Sequence, residues 1–359
     1  MQTFYRSGIA VLLMAGITLG LSADDATEEE VYSALVPIVF YTSDTGFAGG
    51  GLYQRFYPSG INMSLAGFYT QQNQINVFYN SSFFRADNPW WIQYGGSGRY
   101  YPESFYGIGP ETEIESEEIY TNVGINQDLS AYWRVREGLY LGPALRYRWT
   151  DIVDPEKDGL IDKGQALGSE GYQLLAGGLG MGSGRDPLPL GEDLTFYYEA
   201  ALYYASTVEG DPASALLLES DIRLFWELVS LAPVLDDHWI ALQQYSQVAS
   251  DDLPFAELPA IGGASRLRGY AADRFRDTSA LLLQGDYRFP IYKRFKGAVF
   301  AAFGNVGSQW NDYRESEIKF AAGGGLRFQM GPTPDTSFRL DVAFSDEDFG
   351  VYFTFGEAF

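Results

Sequence analysis

The sequence predicts an all-β chain, a transmembrane antiparallel β-barrel of about sixteen strands. Three observations point there. Its 359 residues include 26 Tyr, 25 Phe and 41 Gly, and aromatics make up 16%. Period-two alternation recurs almost to the C-terminus. Beyond the N-terminal run, no apolar stretch is long enough for a helical span. A soluble sandwich would alternate in the same way, because one face of each sheet meets water. Strand and connection lengths separate the two.

The N-terminus reads as an export signal spanning residues 1–23. Arg6 precedes the apolar run "GIAVLLMAGITLGL", and a small residue, Ala23, marks the cleavage point. The run is too short, and too closely followed by acid, to span a bilayer comfortably. Residues 24–359 then form one barrel. The chain has no cysteine, which removes disulfides and thiolate metal sites. Its formal charge of −23 argues against a nucleic-acid partner.

In chain order, the alternation predicts strands at 33–43, 46–57, 60–71, 74–85, 90–101, 116–127, 131–148, 171–182, 192–205, 214–226 and 238–248. The later ones are the clearest. In 278–290, Leu281, Leu283, Tyr287 and Phe289 oppose Gln284, Asp286 and Arg288. Strand 295–304 follows. In 317–329, Ile318, Phe320, Leu326 and Phe328 oppose Lys319, Arg327 and Gln329. In 336–345, Phe338, Leu340, Val342 and Phe344 oppose Ser337, Arg339 and Asp341. The last strand, 349–359, puts Phe353, Phe355, Glu357 and Phe359 on one face. Its aromatics mark it as the barrel-closing strand, with Phe359 at an interfacial girdle.

Most of these segments reach the roughly 9–11 residues that a tilted strand needs to cross a bilayer. Connections after even-numbered strands are mostly short, such as "PSG", "ADNP", "PIYKR" and "GPTPD". Several after odd-numbered strands are long and acidic. Short periplasmic turns and longer outside loops are what a barrel requires. Trp90, Trp91, Trp133, Trp149 and Trp310 fall near strand ends and fit girdle positions.

Little in the sequence suggests catalysis or a cofactor. The only histidine, His238, lies beside Asp236 and Asp237 at a strand end. No phosphate-binding GxxxxGK[ST] loop occurs. The acidic runs 154–159 and 345–350 do not complete a calcium loop and read as solvated surface. No catalytic residue, metal or cofactor is therefore expected.

The stretch "IGGASRLRGY", 261–270, resembles the conserved loop of the bacterial surface antigen superfamily, the BamA-like outer-membrane barrels. Gly262, Gly263, Arg268, Gly269 and Tyr270 match its Arg-Gly-aromatic element after a glycine pair. Similarity continues through "AVFAAFGNVGSQW", "GGGLRF" and "FRLDVAF". The resemblance implies an inward-folded sixth extracellular loop, residues 249–277, lying in the lumen. Its arginine would meet an acidic wall residue, because a confined guanidinium needs a planar acceptor. Gly269 would permit a positive φ, and Tyr270 would anchor the loop. The family's usual wall aspartate falls on Ala302, so Asp286, Asp341 and the more distant Glu199 become the candidate lumen partners.

The same resemblance implies the outer membrane of a Gram-negative bacterium. There the chain would meet outer-membrane lipid and lipopolysaccharide, and the barrel-assembly machinery during biogenesis. The role implied is passage or insertion of a polypeptide or lipid-like substrate. The short lead before the first strand leaves no room for periplasmic polypeptide-transport modules. The alternatives are a diffusion channel and a structural or adhesive surface barrel that transports nothing. A weak seam between 33–43 and 349–359 would point to lateral opening.

Overall fold

Alternation becomes a wall. In the computed structural model, which describes residues 31–85, 87–184, 188–190, 193–308, 313, 317–329 and 337–359, sixteen long antiparallel strands surround a lumen. They are β1 (Tyr32–Thr42), β2 (Gly46–Phe56), β3 (Ile61–Thr70), β4 (Ile75–Phe84), β5 (Trp90–Phe105), β6 (Glu118–Arg136), β7 (Leu139–Val153) and β8 (Tyr172–Gly182). The second half comprises β9 (Leu194–Glu209), β10 (Ser214–Glu227), β11 (Trp239–Ala249) and β12 (Ser279–Tyr292). It ends with β13 (Phe295–Gly307), β14 (Lys319–Gln329), β15 (Ser337–Phe344) and β16 (Phe349–Phe355). Each pairs with the next, and β16 returns to β1 to close the cylinder. A two-residue strand, Leu188–Pro189, lies alongside β9. The signal segment, Trp310 and the turn "GPTPD" lie outside the described residues.

The two faces of each strand have opposite chemistry. Leu283, Phe303, Leu326 and Leu340 point outward and are exposed, Leu283 by 51%. Their neighbours Gln284, Asp286, Arg327, Arg339 and Asp341 point inward and are buried. Exposed Leu35, Leu65, Leu145, Leu179 and Leu216 continue the apolar belt around the other strands. So much exposed apolar surface around a closed wall is stable only against lipid.

Three expectations need correction. The turn expected in "DLS", 128–130, does not exist: β6 runs on to Arg136, and the turn is Glu137–Gly138, with Gly138 at φ 67°. Asp128 is polar because it faces the lumen, where it meets Arg146 and Arg148 at 3.3 and 2.9 Å. Trp91 is not a girdle residue. It is 3% exposed and packs inside against Tyr132 and Tyr140, whereas Trp90 and Trp133 form an outward edge-to-face pair.

The C-terminus also departs from the expected continuous last strand. β16 stops at Phe355, and Gly356, at φ 81°, turns the tail inward. Phe359 is buried against Ala241 on the inner wall, beneath the Arg288 guanidinium. Glu357 faces Arg327 at 3.2 Å. Phe359 is therefore lumenal rather than at an outer girdle, because it gains an apolar pocket and a cation over its ring.

At the end bearing the long connections, Phe105, Tyr120, Ile161, Ala166 and Phe255 form one apolar cluster. They come from β5, β6 and the connections after β7 and β11, and together cap that end of the barrel. The connection after β10 contains two 3₁₀ turns, Leu228–Ser230 and Pro233–Leu235.

Candidate functional site

The segment joining β11 to β12, residues 250–278, packs against the inner wall. A two-residue ribbon, Ala260–Ile261 against Phe275–Arg276, closes its base. Its tip is tightly coiled: Gly262, Gly263, Leu267 and Gly269 all have positive φ. At Gly262 (φ 129°) a Cβ would lie 2.1 Å from the Ala271 carbonyl oxygen, so only glycine fits there. Ile261, Leu267, Tyr270 and Phe275 form an apolar cluster with Tyr245, Leu282, Ala302, Val306 and Ala321 of the wall. Burial of these side chains holds the loop down.

Arg268 is 1% exposed and lies between two strands' carboxylates. Its Nη2 is 2.6 Å from Asp286 Oδ1 on β12, and its Nη1 is 2.7 Å from Asp341 Oδ2 on β15. The Phe300 ring of β13 stacks beneath the guanidinium, 3.5 Å from centroid to Cζ. Arg327 reaches Asp341, Arg339 lies 3.4 Å from Asp341, and Arg288 lies 3.4 Å from Asp286. Glu357 of the tail joins through Arg327 and Arg288. Four arginines thus share three carboxylates. Arginine suits this role, since its planar fork can serve two acceptors at once and stays charged when buried.

The neighbouring residues leave room for it. Gly323 and Gly325 of β14 face inward between the two acidic strands. A Cβ at Gly325 would lie 2.0 Å from Asp341 Oδ1 and 2.5 Å from the Leu340 carbonyl oxygen. Ala302, at the position of the family's usual aspartate, is buried in the apolar cluster. The acidic function sits on strands to either side. Glu199 lines the lumen from β9 and is not among the partners of Arg268.

The glycine and aromatic after Arg268 reach the last hairpin. Gly269 N–H donates to Tyr352 Oη at 3.0 Å, and its carbonyl accepts from Ser345 Oγ at 3.1 Å. Tyr270 Oη donates to Asp346. Arg274, also buried, holds Glu347 at 2.6 Å and the Thr112 carbonyl oxygen at 2.6 Å. Alternation alone puts Arg327 and Arg339 on the inward face. Their convergence with Arg288, Phe300 and Tyr352 depends on strand register, which no local pattern carries.

The closing seam is short. All eleven residues of β1 pair with β2, but β1 meets β16 through two register pairs, Tyr41 with Phe353 and Thr42 with Tyr352. Phe353 faces outward, stacked on Phe338. The backbone of Phe355 ends the strand. Pro37, which has no amide hydrogen to donate, lies in the part of β1 beyond the seam pairs, as suits an edge strand.

Between the Arg268 cluster and the end bearing the short turns lies a cavity of about 700 Å³. Gln54, Asn80 and Gln93 line one side; Arg146, Asp221 and Arg223 line the other. His238, at that end, places Nδ1 2.6 Å from Tyr287 Oη.

Residues 196–359, from the start of β9 to the C-terminus, match the model of the Omp85 superfamily domain. No curated protein matches the chain in sequence. Among solved structures, BamA from Haemophilus ducreyi lacking POTRA domains 1–3 is similar, with a TM-score of 0.57 and 15% identity over 89% of this chain and 70% of that one. CdiB from Acinetobacter baumannii gives 0.59 and 13%, over 90% of this chain and 60% of that one. CdiB from Escherichia coli gives 0.59 and 15%, over 90% and 63%. The chain therefore spans less than two thirds of either CdiB, and at these identities the likeness is one of fold.

Proposed function

We propose that this protein, an outer-membrane barrel of the Omp85 superfamily in a Gram-negative bacterium, moves or inserts a polypeptide or lipid-like substrate through the side of its wall. The observation that carries the reading is a contrast. The β11–β12 loop is held through Arg268 to two strands of the wall, while the β1–β16 seam rests on two register pairs. Backbone groups left unpaired in lipid are costly, so the part of β1 beyond the seam pairs, residues 32–40, is the line along which the wall most readily parts. A free strand edge is also a template for an incoming strand. The likeness in fold to BamA and CdiB supports the reading.

A reversible lock tests it. Since the chain has no cysteine, Tyr41→Cys with Phe353→Cys places a single thiol pair across the seam. In liposomes, transbilayer movement of a labelled phospholipid and insertion of an unfolded barrel polypeptide are measured with the pair oxidised and reduced. The expected result is that at least one activity is lost on oxidation and restored by reductant. Equal activity in both states, or no activity in either, sinks the lateral route. The lumenal cavity supports a second reading, a diffusion channel, which predicts large steady conductance.

A further inference from the structure

Loop and seam meet at the β1–β2 turn, residues 43–45. Ser43 Oγ accepts the Val351 N–H of β16 at 2.9 Å, directly beyond the two seam pairs. The next residue, Asp44, accepts the Ala272 N–H of the inward loop through Oδ1 at 3.0 Å. The same stretch of loop grips the opposite edge of the seam at four points: Gly269 to Tyr352 and Ser345, Tyr270 to Asp346, and Arg274 to Glu347. The loop tip is therefore fastened to both edges of the shortest pairing among the sixteen long strands. Its hold on the β15–β16 side uses several charged or hydroxyl groups. Its hold on the β1–β2 side passes through one carboxylate.

We propose that Asp44 is a titratable latch, which joins the loop tip to the first hairpin and sets by its charge how firmly the loop clasps the two seam edges. The bearing on transport rests on the lateral route proposed above; the latch itself does not. The titratable groups facing Asp44 are Asp273 of the loop, Tyr101 of β5, Tyr106 after it, and Tyr352 of β16. Asp273, with φ 51°, follows directly on the bonded Ala272. None of these is a cation, so among the described residues the ionised latch sits half-buried with no opposite charge directly facing it. Burial is the main cause that pushes its carboxyl up to about 6, Asp273 adds to this, and the Ala272 N–H opposes it.

With the latch closed the carboxyl titrates near 6; released to water it returns to its ordinary 3.8. The closed state binds the proton more tightly, so protonation favours closure. This contribution is complete below 3.8 and is lost as pH rises through 6. Between pH 5 and pH 8 the ratio of closed to released latch falls about tenfold.

Spin labels on exposed positions either side of the seam, Gln72→Cys and Glu317→Cys, report the separation by pulsed dipolar spectroscopy in lipid nanodiscs. In an otherwise wild-type chain, the ratio of the short- to the long-distance population should fall about tenfold from pH 5 to pH 8. Asp44→Asn keeps an oxygen acceptor without the charge, and should hold the pH 5 distribution at both values. Asp44→Ala removes the acceptor, and should show the widened distribution at both. An unchanged distribution in the wild-type chain overturns the latch, as does a pH response that survives in Asp44→Asn. These distances need no transported substrate, so they can fail independently of the seam-lock assay.

Discussion

Arg268 joins two carboxylates that stand on different strands, reaching Asp286 of β12 at 2.6 Å and Asp341 of β15 at 2.7 Å. One side chain from a loop thereby ties itself to two points of the wall, with β13 and β14 between them. Losing one partner of a buried ion pair typically costs about 3–5 kcal/mol. Here the cost falls toward the lower end, because Arg327, Arg339 and Arg288 remain beside the two aspartates.

Replacing Arg268 by lysine keeps the charge but not the fork. An ammonium serves as a point donor, so one of the two contacts is lost. Arg268→Lys should lower the urea midpoint of the detergent-solubilised barrel by less than Arg268→Ala does. Both variants should raise single-channel conductance, because each loosens the loop. Lysine behaving like wild type in both assays would count against the bidentate bridge.

Gly325→Ala tests the space beside the bridge without touching a charge. The added methyl would stand 2.0 Å from Asp341 Oδ1 and 2.5 Å from the Leu340 carbonyl oxygen. Overpacking of this kind costs about 1–3 kcal/mol and here displaces the carboxylate that Arg268 uses. The conductance of Gly325→Ala should move in the same direction as that of Arg268→Ala. Gly324→Ala, on the outward face, should leave it unchanged, since the nearest atom to its Cβ lies at 3.4 Å.

Cysteine pairs distinguish the inward tail from a continuous last strand. Tyr41 and Phe353 are register partners, so thiols there should cross-link on mild oxidation. If β16 continued in the same register, Leu35 would oppose Phe359. With the tail turned inward that pair should stay reduced, while Ala241→Cys with Phe359→Cys should cross-link. The reverse pattern on a gel would place the tail in the seam.

Much of the wall is legible from alternation, because Leu283, Leu326 and Leu340 must face lipid and Gln284, Arg327 and Arg339 must not. The failures have local causes. "DLS" resembles a turn only if Asp128 must meet bulk water; inside a barrel it meets Arg146 and Arg148 instead. The aromatic alternation of β16 runs unbroken to Phe359, yet Gly356 lets the chain leave the sheet and an inner pocket keeps it. At the candidate site, Arg268, Asp286 and Asp341 can be nominated singly from their faces and from the loop motif. The roles of Phe300, Gly325 and Tyr352 depend on cross-strand register and on space left by absent side chains.

The most direct measurement is planar-bilayer conductance of the purified full chain beside a variant lacking loop residues 262–274. A lumen occluded by the Arg268-anchored loop predicts a nearly silent wild type and large, steady openings in the deletion variant. Large, steady openings in the wild type, with no increase on deletion, would contradict it.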